Sequence, residues 1–217
     1  MKTNLEICID SCSGIAAAVE GGADRIELCS SLEYGGLTPT IEVLKHASEC
    51  GIQARSMIRP RKGDFVYSLE EIKKMKSDID MVRSFNIDGI VFGAILPNGS
   101  LDQDLLEELI SYSVGFKKTL HRAVDTMPKT KDSVQIGIQL GFDTILSSGG
   151  KNTALEGLSV LSEMHNLATG KINIMPGSGV NSKSVKKILK KCHFDWIHSS
   201  CSIEKNGDRL TDVQLIK

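Results

Sequence analysis

The chain has no surplus charge of either sign: 26 Lys and Arg stand against 27 Asp and Glu, a formal net charge of -1 over 217 residues. That balance excludes a global field suited to nucleic acid or to an anionic membrane, so a charged partner must be met locally. Long hydrophobic runs are also missing. The sequence passes from Met1 directly into an alternating apolar stretch, without the apolar core of a secretory leader, and no later run approaches a membrane span. These absences predict a cytoplasmic protein. Its six cysteines, Cys8, Cys12, Cys29, Cys50, Cys192 and Cys201, are then expected as thiols, and none forms a CxxC pair. With no low-complexity tract and no linker, residues 1–217 read as one domain, long enough to bury a sizeable core.

What is present is a regular alternation of short aliphatic segments and helix signals. LEICID, RIELC, IQARSMI, GIVFGAI, KKTLH, DTILS, INIMP and DWIHSS read as eight strands. Between them lie helix starts and stops. Ser11 or Ser13 begins a helix closing at Gly21-Gly22, and Thr38-Pro39 begins one ending before Gly51. Ser68 with Glu71, Ser100 with Gln103, and Thr153 with Glu156 have capping-box spacing. A helix near residues 130–140 ends at Gly141, and Asn181 caps a basic helix through Lys191. No hairpin signal interrupts the series. Alternating βα units imply parallel strands, and eight of them favour an α/β TIM-like (β/α)8 barrel with a short or irregular last helix. An open doubly wound sheet is the alternative, but DSCSG after the first strand lacks its glycine fingerprint.

Side chains alternate across a strand, so Glu6, Cys8 and Asp10 share one face, as do Glu27 and Cys29. Buried acids need partners, and Arg59 is the expected cation for them. This group is either an internal ion-pair network or part of a site. His121 and His198 each close a strand, where a histidine serves as base, metal ligand or satisfied core residue. A hard-metal site for Zn or Mn among these histidines and acids conflicts with the adjacent arginines. Glu6, Asp10, Glu27, Arg59, His121 and His198 are thus the candidate catalytic residues.

Two glycine loops follow late strands: SSGG with Ser148 and Gly149, and MPGSGV with Gly177 and Gly179. With Arg59 and Arg61 they suggest a site for a small anionic ligand, since glycine lets backbone N–H groups approach an oxyanion. Every βα turn also uses some glycine for its own sake. The long segment IRPRKGDFVYS (58–68) has the make-up of a lid or of a solvated loop. Cys8 and Cys29 occupy equivalent places in two similar triplets, EIC and ELC. On neighbouring strands about 4.8 Å apart two thiolates suit Cu(I), although free cysteine is also a common small buried hydrophobe.

EICIDS, EGGADRIELCSSLEYGGLTPT, MIRPRKGDFVYS, DGIVFGAI, LHRAVD, LSSGG, IMPGSGV and IHSS together resemble the CutC family of copper homeostasis proteins. The match is ordered and runs from about residue 5 to residue 200. It implies a cytoplasmic, often homo-oligomeric TIM-like barrel with a role in copper tolerance, no organic cofactor, and Cu(I) ligands at Cys8 and Cys29. It also implies a mouth of acids, arginine and histidines of the kind enzymes carry. The partner is then either a copper ion or a small anionic ligand. Departures from the family pattern include Val124 where an aromatic is common and Ser178 where glycine is frequent.

Overall fold

In the computed structural model, which describes residues 2–205 and 208–216, all eight expected strands form. They are β1 (Asn4–Ile9), β2 (Arg25–Leu28), β3 (Ala54–Met57), β4 (Gly89–Phe92), β5 (Lys117–Leu120), β6 (Thr144–Ser147), β7 (Asn173–Pro176) and β8 (Trp196–Ser199). Each pairs in parallel with its neighbours in the order β7-β6-β5-β4-β3-β2-β1-β8. The ring is completed where β7 packs beside β8, with no ladder between them among the described residues. Helices α1 (Cys12–Gly21), α2 (Ile41–Cys50), α3 (Leu69–Arg83), α4 (Gln103–Tyr112), α5 (Ser133–Leu140), α6 (Leu158–Ala168) and α7 (Ser184–Lys191) follow successive strands. This is a TIM-like barrel.

Local chemistry explains the element ends. Ser11 Oγ accepts from Gly14 N at 3.2 Å to start α1, and Gly22 ends it in the left-handed region at φ 82°. The Ser68–Glu71 capping box forms in both directions at the start of α3. Elsewhere the start signals are displaced. Thr40, not Thr38, caps α2, because Thr38 Oγ1 is engaged with Asp78 and the backbone of Arg59. Asp102 caps α4, while Ser100 turns back onto Asn98. Thr153 accepts from Glu156 N in a turn, and α6 begins only at Leu158.

The hydrophobic core lies between strands and helices. Ile7, Ile9, Ile26, Leu28, Ile90, Phe92 and Ile145 from the strands meet Ile15, Leu44, Ile79, Leu106 and Leu161 from the helices. Burying each such side chain stabilises by roughly 1.5–3 kcal/mol. The expected short last helix is α8 (Val213–Ile216), but it follows an antiparallel hairpin, β9 (Ser202–Lys205) and β10 (Asp208–Thr211), that the sequence reading did not anticipate. Its signal was present as Asn206-Gly207, a strong hairpin dipeptide.

Candidate functional site at the barrel mouth

The apolar face of each strand goes to the helices, which leaves the alternate residues to fill the barrel. β2 therefore sends Arg25 and Glu27 inward with Cys29 just beyond it, and β3 sends Arg55 and Met57 inward, followed by Arg59. All six are buried. Arg25 and Arg55 were absent from the sequence-based site, although their alternation with Glu27 and Arg59 signals the same face.

The register between β1 and β2 differs from the triplet alignment. Glu6 stands beside Arg25 and Cys8 beside Glu27, so EIC and ELC are offset by two residues. Strands in a barrel tilt and step along one another, which sets similar motifs at different heights. The consequence is a different ion pair. Arg25 Nε donates to Glu6 Oε2 at 2.5 Å, and its guanidinium lies 3.8 Å from the centre of the Trp196 ring. Arg59, expected in that role, does not reach Glu6. Arg55 Nη1 donates to Thr119 and, at 3.2 Å, to Thr144, bracing the opposite wall.

Above Arg25 the charges continue upward. His198 Nδ1 is 2.9 Å from Glu6 Oε1, and its Nε2 is 3.8 Å from Glu27 Oε2. Burial opposes ionisation of Glu6, but Arg25 and His198 outweigh it and hold the carboxyl down at about 2. Burial likewise works against a charged His198, yet the charge of Glu27 and the contacts with Cys8 and Glu6 raise its pKa well above the ordinary value. Glu27 itself is raised by burial. Glu6, Glu27 and His198 bring ligand atoms within 4.8 Å of one another, a spacing that suits a metal. Three of the four carboxylate oxygens and both imidazole nitrogens are instead engaged with Arg25, Cys29 and each other, so the trio fits an ion-pair network better than a hard divalent ion.

Over this network opens a cavity of about 950 Å³ whose wall includes Cys8, Glu27, Arg59, His121, His198 and Gly179. Among the described residues, three buried polar atoms of that wall lack a hydrogen-bond partner: Glu27 Oε1, Arg59 Nε and His121 Nε2. Arg59 is held in place by backbone, donating to the carbonyls of Tyr34, Gly36 and Gly63 at 2.8–3.1 Å, with the Tyr67 hydroxyl beside it. Phe65, from the 58–68 segment, lies 4.8 Å from both the Arg59 guanidinium and the His121 ring. His121 Nδ1 accepts from Ala123 N at 3.2 Å, which leaves its proton on Nε2. Burial, reinforced by Arg59, lowers its pKa to about 3, so the ring is a neutral donor.

Other expected residues fall elsewhere. Asp10 is exposed and outside the cavity wall. Arg61 is engaged by Glu71 and Asp64. In the SSGG loop the N–H groups of Ser148 and Gly150 go to the Asp125 carboxylate and that of Gly149 to Ser147 Oγ, while Gly177 N donates to Ser147 O. These N–H groups are taken up within the loops, although Asp125 and Gly150 themselves line the cavity. Gly149 is glycine for a steric reason: it has φ 71°, and a Cβ there would meet Gly157 O at 2.5 Å. Cys8 opens onto the cavity, whereas Cys29 is buried behind the wall beside Met57, its Sγ donating to Glu27 Oε2 at 3.6 Å.

Among known proteins, the CutC family model matches residues 3–203. A CutC family protein of Agrobacterium fabrum is 47% identical over 198 residues, covering 91% of this chain and 79% of that protein. A copper homeostasis protein cutC homolog of Caenorhabditis elegans is 38% identical over 220 residues, covering 100% of this chain and 87% of that protein. The crystal structure of a CutC from Streptococcus agalactiae, described as a copper homeostasis protein, superposes with a TM-score of 0.87 at 29% identity over 92% of this chain and 99% of that one. With sequence motifs, family match and fold in agreement, this chain belongs to the CutC family.

Proposed function

We propose that this chain handles copper, taking Cu(I) as cargo between Cys8 and Cys29. The observation that supports this is the pair of free, buried thiols on β1 and just past the end of β2, one on the cavity wall and one already hydrogen-bonded to a carboxylate. Thiolate and thioether sulfur suit Cu(I), and Met57 packs against Cys29. Burial raises the Cys29 pKa well above its ordinary value, so the metal itself must displace the proton. Binding by both sulfurs as thiolates leaves an anionic complex, whose charge the His198 imidazolium offsets. The reading carries with it a reducing, cytoplasmic setting, and the homo-oligomer expected of the family is checked by light scattering.

Competition against a Cu(I) chelator under anaerobic, reducing conditions tests the site. Wild type is expected to bind Cu(I) stoichiometrically and the Cys8→Ser, Cys29→Ser variant to lose it, with Cys12, Cys50, Cys192 and Cys201 as controls. Equal uptake by the double variant removes the proposed site.

A second reading, acid/base chemistry on a small anionic metabolite, is favoured by a separate observation. Arg59 is a buried cation with no carboxylate partner among the described residues, facing the same cavity as Glu27 and His121. Phosphate or a small carboxylate is then expected to raise the melting temperature, and Arg59→Ala to abolish the rise; no stabilisation by either anion counts against it.

A further inference from the structure

We infer that the cavity enolises a small carbonyl compound, with Glu27 Oε1 taking the proton from the carbon beside the carbonyl and His121 Nε2–H and the Arg59 guanidinium holding the oxygen. The inference rests on the second reading above and narrows it to a substrate class and to individual atoms.

The argument starts from the unpartnered atoms. Buried polar groups are nearly always hydrogen-bonded, and an unmet one costs about 1–3 kcal/mol. Here three occur on one cavity wall, on residues that are 3%, 5% and 3% exposed for Glu27, Arg59 and His121. They divide by chemistry into one acceptor and two donors. An enolisable carbonyl presents the complementary pattern: one acidic C–H, and one oxygen that gains negative charge as the proton leaves.

Each group is fixed before any ligand arrives. Phe65 packs against both donors at 4.8 Å, so the guanidinium and the imidazole are set around the same ring. The three carbonyls take three of the four Arg59 Nη N–H bonds and leave Nε–H and one Nη2–H, with the Tyr67 hydroxyl beside the guanidinium. His121 is fixed in one tautomer by Ala123 N, and a neutral imidazole polarises a carbonyl without first giving up its proton. Glu27 Oε2 faces His198 and the Cys29 thiol, which leaves Oε1 for the substrate.

The step balances with no further reactant. The C–H electron pair becomes the new C=C bond, the C=O π pair moves to oxygen, and the proton resides on Glu27. Return of that proton to the same carbon gives exchange or racemisation; where that carbon carries a hydroxyl, the hydroxyl proton passes to the former carbonyl oxygen, a new C=O forms in its place, and return of the Glu27 proton to the former carbonyl carbon gives isomerisation.

The test is proton NMR of 2-oxobutanoate and of dihydroxyacetone phosphate in D₂O with freshly purified, reduced protein, alongside thermal melts with the same two probes. Loss of the signal from the C–H beside the carbonyl is expected above the buffer rate for at least one probe. It should fall on the order of 100-fold in Glu27→Gln and by a comparable factor in His121→Phe. Should Glu27→Gln fail to fold, Glu27→Asp retains the carboxylate but withdraws it, and slower exchange is expected there too. Undiminished exchange in a folded Glu27 variant overturns the assignment. A probe that raises the wild-type melting temperature yet exchanges no proton overturns the proton transfer and leaves the anion site standing; neither stabilisation nor exchange overturns both.

Discussion

Arg25 and Glu6 form an ion pair inside the barrel, 2.5 Å apart, with side chains 5% and 0% exposed. It sits beneath His198 and sets the electrostatic floor of the cavity. Removing Arg25 leaves the Glu6 carboxylate underpaired in a buried site, with His198 still beside it. Arg25→Met is therefore expected to cost about 3–5 kcal/mol in urea unfolding. Adding Glu6→Gln to that variant should restore part of the loss, since the underpaired carboxylate is gone. An Arg25→Met protein as stable as wild type would show that the pair contributes little.

Acid stability should be governed by His121. Its folded pKa of about 3 lies below the ordinary 6.5, so the unfolded chain binds the proton first and stability falls as pH drops from 6.5 toward 3. Glu6, held at about 2 against an ordinary 4.5, adds a loss of the same sign below pH 4.5. His198 acts oppositely: its raised pKa gives stability that is lost as pH climbs through the folded value. His121→Asn retains an acceptor for Ala123 N and should flatten the limb between pH 6.5 and 4.5 in urea titrations. A limb of unchanged slope would assign it to other groups.

Gly157 is fixed by its neighbours. A Cβ there would lie 1.8 Å from Ser148 O, and the atom in the way is backbone. Gly157→Ala is expected to destabilise by about 3 kcal/mol, since the β6 loop must move. Gly22→Ala serves as a contrast: nothing lies within 4 Å, so only its φ of 82° is penalised and the loss should be smaller.

Ser178 holds a left-handed backbone at φ 77°, and its Oγ donates to Asn152 O at 2.7 Å. Ser178→Ala keeps the strain and loses the bond, whereas Ser178→Gly loses the bond but relieves the strain. The glycine variant should therefore melt higher than the alanine variant, by about 1 kcal/mol in stability. Equal melting temperatures would mean that the backbone strain is negligible.

Eight strands, seven helices between and after them, and the parallel barrel were all readable from period and punctuation, because each βα unit carries its own pattern. Helix starts were less secure. Thr38 and Ser100 have the right side chains for capping, but each found a better partner across a loop. Of the site, Glu27, Arg59, His121 and His198 were legible as strand-end residues and do meet on one wall. Arg25 and Arg55 carry the same alternation, but the partners that make them part of the network, Glu6, Thr119 and Thr144, lie on other strands and no local spacing marks them.

The sequence by itself determined the elements, their order and which residues of each strand turn inward, since these depend on local spacing. Tertiary structure decided who meets whom. Strand stagger placed Arg25 rather than Arg59 against Glu6 and offset Cys8 from Cys29, and loop packing turned the SSGG amides onto Asp125. Those outcomes depend on barrel tilt and on contacts between residues far apart in the chain.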